Sequence, residues 1–167
     1  TIAASLSGIE GPIHGVVLTA IERDANSARD SNLERATRLT VLKLVGYTET
    51  VHALLDRLQP SVDTGIVLFG GGAKDLPYPG STTVSTINAG VDGMTRTLAL
   101  EGRDLSIRVN AIAPGLVDTA SNIAAMKPKD LKRWTKRDDI AETVLFLASP
   151  AAAGITGQVS AVTGWGL

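Results

Sequence analysis

Lys43, Tyr78, Ser81 and Asp118 are among the side chains of this sequence whose chemistry suits proton movement or the holding of an oxygen. An ammonium, a phenol, a hydroxyl and a carboxylate around one cleft would serve a cyclisation or an isomerisation by acid/base catalysis. Their spacing singles out no acid/base pair. The glycine cluster Gly70-Gly71-Gly72 follows an apolar run and does not open a helix with G-x-G-x-x-G spacing, so it predicts the end of a strand and not a phosphate loop. His14 and His52 lie far apart in the chain, and no metal site is expected. With no cysteine there is neither a disulfide framework nor thiolate chemistry.

These groups hang on one strand–helix–strand unit, Gly65 to Thr119. Ile66 to Phe69 is a short apolar run that suits a strand buried on both faces. Val84, Ile87, Val91, Met94 and Leu98 alternate three and four apart, which draws one stripe along a helix. Ile107, Val109, Ala111 and Ile112 then form a second strand, stopped by Pro114 and Gly115. Two strands joined through a helix of this length make a βαβ crossover and hence a parallel sheet.

The segment Arg108-Val109-Asn110-Ala111-Ile112-Ala113-Pro114-Gly115-Leu116-Val117-Asp118-Thr119 resembles the RVN-A-x-x-PG-x-V-x-T stretch of the short-chain dehydrogenase/reductase family. Arg137 to Ser149 and Ile155-Thr156-Gly157-Gln158 resemble the helix and ITGQ strand that close that fold. The resemblance runs from about residue 11 to 167, with the motifs in family order. It implies an α/β fold: a truncated Rossmann-like parallel sheet flanked by helices, its strands equivalent to family strands 4 to 7. Residues 1–167 are then a single domain corresponding to the C-terminal part of the family fold.

Members of that family move a hydride between NAD(P) and a carbonyl or alcohol, using a tyrosine and lysine in Y-x-x-x-K, a serine and an asparagine. Aligned through Pro77-Tyr78-Pro79-Gly80 and the RVN-PG segment, the tyrosine position is Val84 and the lysine position Asn88. The serine falls on Gly71 and the asparagine on Lys43, three residues before Gly46. Valine has no proton to give, and neutral asparagine supplies no cationic field. The N-N-A-G that lines the family's cofactor cleft stands here as Leu18-Thr19-Ala20-Ile21, and this chain holds no T-G-x-x-x-G-x-G turn. The expectation is therefore no NAD(P), with Pro114, Gly115, Val117 and Thr119 as a weak remnant of the nicotinamide end.

The reading that unites these substitutions is a catalytically silent structural or regulatory subunit, paired with itself or with an active relative. Two alternatives stand beside it: an enzyme reusing the cleft through Lys43, Tyr78, Ser81 or Asp118, and the C-terminal part of an NAD(P)-dependent oxidoreductase. Residues 33–58 are apolar on more than one helical face, and residues 84–101 carry Ala89, Gly90 and Gly93. The resemblance implies a four-helix contact between subunits there, with Leu44, Val51, Ala89, Gly93 and, from the tail, Trp165 as interface residues. The strand at residues 13–19 would be an unprotected sheet edge and a second partner surface. Glu22 to Asn32 reads as a solvated loop, and Ala120 to Trp134 as the remnant of a lid over the substrate.

Net charge is −1, from 16 basic and 17 acidic residues, so neither nucleic acid nor a membrane surface is an expected partner. No apolar run approaches a membrane span, and the default expectation is a cytoplasmic protein.

Overall fold

The structure, a computed structural model, describes residues 2–128 and 130–164 of the 167. Four parallel strands form one sheet in the order β1 (Gly15–Leu18), β2 (Gly65–Phe69), β3 (Arg108–Pro114), β4 (Val159–Val162). In β2 and β3 successive apolar side chains feed opposite layers, as the two-residue period of a strand requires. Ile66, Leu68, Val109 and Ala111 face the layer built from α3 (Gly46–Leu54) and α4 (Thr82–Glu101). Val67 and Ile112 face α6 (Arg137–Ala148) through Ile140 and Leu147. Removing each such aliphatic side chain from water contributes roughly 1.5–3 kcal/mol, so this double-sided packing is what makes the sheet's carboxyl end a fixed platform.

Among the described residues the sheet's two outer strands, β1 and β4, have four residues each. β1 spans four residues, not Ile13 to Thr19, because the Ile13 backbone is engaged elsewhere: its N–H donates to Arg57 O and its carbonyl accepts from Gln59 N. Among the described residues β1 pairs with β2 alone, and Val17 is 42 % exposed on it. The segment before it forms α1 (Ile2–Leu6), which packs against α3.

The helical run expected over 33–58 is present but wrinkled. It comprises α2 (Leu33–Thr40), a π-helical segment at Val41–Val45, α3, and a short 3-10 turn at Leu55–Arg57. Asn32 caps it, its side chain accepting from Arg35 N. Its buried stripe is Leu39, Lys43, Tyr47, Val51, Leu54 and Leu58. A run of four-residue steps outpaces the 3.6-residue α period, and the π segment absorbs the surplus. Val45 and Leu55 point outward, and Val51, expected at an interface, is instead 6 % exposed in the chain's own core. Leu44 is half-buried against that core beside Gly90.

Leu145 of α6 is 68 % exposed. Lys136 occupies the N-cap position of α6, and Asp138 and Asp139 sit in its first turn, where they complement the helix dipole. Trp165 lies outside the described residues. No helix among the described residues is long and apolar enough to cross a membrane.

Candidate functional site

The carboxyl ends of β2 and β3 form the face where open parallel sheets place their ligands. The loop after β2, the first half of α4, the π segment and the short helix α5 (Ala120–Met126) converge there. At its centre the structure joins three of the residues singled out from sequence. Lys43 Nζ donates to Gly70 O at 3.0 Å and to Asn88 Oδ1 at 2.9 Å. Lys43 and Asn88 are 1 % and 2 % exposed. Burial among neutral acceptors pushes the Lys43 ammonium down from the usual lysine range to about 8.

Gly71 completes the group through its lack of a side chain. Its φ of 172° is extended backbone that any residue adopts, so strain does not demand glycine here. Space does: a Cβ would stand 2.6 Å from Asn88 Nδ2. A serine at Gly71 and an asparagine at 88 in this rotamer exclude each other.

The position aligned with the family's tyrosine, Val84, sits one helical turn before Asn88 on α4. Its neighbour Ser85 does carry a hydroxyl, which the sequence reading passed over. That hydroxyl lies 2.8 Å from Ala73 O and 2.9 Å from Ser81 Oγ, and Ser81 Oγ in turn donates to Tyr78 O at 2.7 Å. The serines therefore fasten the 73–81 loop to α4. Tyr78 itself is 56 % exposed. Asp118 is engaged elsewhere, accepting from Arg137 N at 3.0 Å with Arg137 Nε at 3.4 Å.

Tyr47 is a second group that sequence reasoning missed. Four residues after Lys43 on the same helical face, it directs its hydroxyl at Ala20 O (3.1 Å) and Phe69 O (3.3 Å). These contacts splint the ends of β1 and β2, and burial raises its pKa far above the ordinary phenol value. Its i,i+4 spacing from Lys43 puts it on the same helical face, but its partners at Ala20 and Phe69 lie in distant segments.

The remnant cofactor positions do structural duty. Gly115 N donates to Val162 O at 3.0 Å, Val117 O accepts from Asn122 Nδ2 at 2.8 Å, and Thr119 Oγ1 caps α5 by accepting from Asn122 N at 3.2 Å. Pro114 ends β3 beside Val162 of β4.

The 22–32 loop is largely exposed, as expected, with Asn26 as its one buried residue. It is a strap tied at three points: Glu22 pairs with Arg38 on α2, Arg23 Nη2 donates to Asn122 Oδ1 on α5 at 2.6 Å, and Asn26 O accepts from Thr82 N on α4 at 3.1 Å. Asn26 is 2 % exposed, its amide donating to Asp24 Oδ1 at 2.7 Å and accepting from Asn32 N at 2.6 Å. The Arg38 guanidinium holds the Glu22 carboxyl below its usual range. Nearby, Lys74 Nζ bridges Asp75 (2.7 Å) and Asp92 (3.0 Å), fixing the glycine-rich loop to α4.

Against known proteins, the pattern of the family described as enoyl-(acyl carrier protein) reductase matches residues 1–165. Acetoacetyl-CoA reductase from Synechocystis sp. is 31% identical over 97% of this chain and 71% of its own length. A protein from Xanthobacter autotrophicus named inactive 2-(S)-hydroxypropyl-CoM dehydrogenase 2 is 28% identical over 98% of this chain and 78% of its own. Among solved structures, an NADPH-bound short chain oxidoreductase from Pseudomonas aeruginosa, described as containing an atypical catalytic center, superposes with a TM-score of 0.85 at 26% identity, over 99% of this chain and 69% of that one. The chain matches 38% of the length of a 3-oxoacyl-(acyl-carrier-protein) reductase from Thermotoga maritima, over 52% of its own.

Proposed function

The chain belongs to the short-chain dehydrogenase/reductase family, and from that premise we propose that it performs no hydride transfer and serves as a structural or regulatory subunit. One observation carries this reading. Where the family keeps its proton donor this chain has Val84, and the nearby ammonium of Lys43 is turned onto Gly70 O and Asn88 Oδ1, with no phenol to activate. The relative whose name describes it as inactive supports the same reading.

The residues present do not fit NAD(P). The Pro114–Thr119 turn spends its polar atoms on β4, α5, Thr135 and Arg137 of α6, and Arg23 ties the strap to Asn122 of α5. The partner surface we assign is the outer face of α2–α3 and α4, where Val41 and Val45 are about half exposed and Ala89 and Gly93 stand open. The partner is a second copy or an active relative, and the edge of β1 is a further contact.

Calorimetry with NADPH tests the reading, together with the native mass of the purified protein. The expected result is no binding tighter than about 10 μM, a threshold of roughly −7 kcal/mol, and a mass above that of one chain. Tighter binding overturns the cofactor statement. A second reading, favoured by the NADPH-bound neighbour with its atypical centre and by an amine that titrates near 8, is an oxidoreductase using Lys43 as its acid. NADPH consumption with acetoacetyl-CoA, abolished by Lys43→Met, would select it.

A further inference from the structure

Lys43 and Asn88 come from opposite walls of the crevice, one from the π segment and one from α4, and meet at the end of β2. The family resemblance implies the opposite assignment, an amide on the first wall and an ammonium on the second. We infer that Lys43, Asn88 and Gly71 are one interlocked unit, an exchanged pair in which the ammonium reaches the end of β2 from the other helix and the displaced amide holds residue 71 to glycine. This goes beyond the proposed function, since an exchanged pair is compatible with a silent or an active protein.

Three contacts make the unit. The ammonium donates to Gly70 O and to Asn88 Oδ1, so the amide oxygen is committed to Lys43. That commitment turns Asn88 Nδ2 toward Gly71, where it fills the volume a side chain would occupy. The π segment is the third element: it carries Lys43 on the inner stripe, and Gly46 N closes the widened turn onto Val41 O. Each member fixes the next, so changing one alone must break a contact that changing two restores. Lys43→Asn removes the donor from two buried acceptors and leaves a void. Asn88→Lys sets a second ammonium beside the first, with Gly70 O shared between them. Making both changes supplies one ammonium and one amide again, from exchanged walls.

The measurement is a double-mutant cycle on equilibrium unfolding by urea. Each single variant is expected to raise the unfolding constant by about 30-fold or more, and Lys43→Asn with Asn88→Lys together to return it to within about fivefold of the native value. A double variant whose loss equals the product of the two single losses, or which does not fold, overturns the pairing. If the single variants do not fold, a second cycle decides the matter on steric grounds. Gly71→Ala is expected to raise the unfolding constant about tenfold or more in the native chain and far less in the Asn88→Ala background. Equal effects in both backgrounds would remove Asn88 as the reason for the glycine. The readout is unfolding throughout, so failure here leaves the NADPH titration untouched and the reverse.

Discussion

Two cations are buried at opposite ends of this sheet, and they behave differently under the same physics. At the amino end of β3, Arg108 is 3 % exposed and donates to Val62 O at 2.6 Å, Leu147 O at 2.8 Å and Ser149 O at 3.0 Å. At the carboxyl end of β2, Lys43 is 1 % exposed and donates to one carbonyl and one amide oxygen. Neither forms a salt bridge to a carboxylate among the described residues. Burial lowers the pKa of both, but a guanidinium keeps its proton through any accessible pH while an amine does not. The difference separates a clasp from a variable charge. Arg108 ties three backbone segments permanently, whereas Lys43 can lose a proton and still offer two N–H donors to its two acceptors.

The largest effect should come from breaking the clasp. Arg108→Met leaves the carbonyls of Val62, Leu147 and Ser149 without their donor, and a loss of roughly 3–5 kcal/mol is expected from chemical denaturation. A loss below about 1 kcal/mol would mean that water reaches those carbonyls and the two cations are not comparable.

Next in size is the pH dependence of the other end. The folded pKa of Lys43 is about 8 against an ordinary 10.5, so the unfolded chain binds the proton more strongly between those values. Stability from this group therefore rises as pH goes from 8 to 10.5 and is lost as pH falls back through 8, by about 3 kcal/mol in full. Tyr47 works in the opposite sense once exposed tyrosines ionise, because its folded pKa is raised. The useful measurement is thus the native chain minus Lys43→Met across that window, and a flat difference would contradict a charged, buried Lys43.

A finer probe gives Lys43 the counter-ion it lacks. Asn88→Asp should abolish the rise between pH 8 and 10.5 while changing stability at pH 7 by no more than about 1 kcal/mol, since the new attraction offsets the cost of burying a carboxylate. Persistence of the rise would place the charge elsewhere. The smallest expected effect lies on the helix that delivers Lys43: Asn32→Ala removes the cap of α2 and should cost about 1 kcal/mol by thermal or urea unfolding.

The contrast between the two ends also marks what the sequence made legible. The parallel sense followed from apolar runs such as Ile66 to Phe69 joined through a helix, and the strand order from the family resemblance carried by the RVN segment with Arg108. The crevice was legible only as a set of substituted positions. That Lys43, on the π segment, touches Asn88, on α4, is a contact between elements 45 residues apart, which the periodicity of either helix alone does not reveal. Asn26 was taken for solvent because its neighbours are polar, yet its amide substitutes for backbone partners that only the folded strap supplies. Val51 was placed at an interface because the resemblance implies a contact between subunits there, whereas the chain's own core takes it up.

The wrinkle in that long helix has a mechanical meaning. An inserted residue uncouples rotation on its two sides, so the half held by Asn32 and Arg38 and the half packed under the sheet need not turn together. Excising a single residue between Val41 and Val45 would restore an unbroken α period and rotate the upstream half by roughly 100°, swinging Leu39 out of the interior while leaving Tyr47 and Val51 where they are.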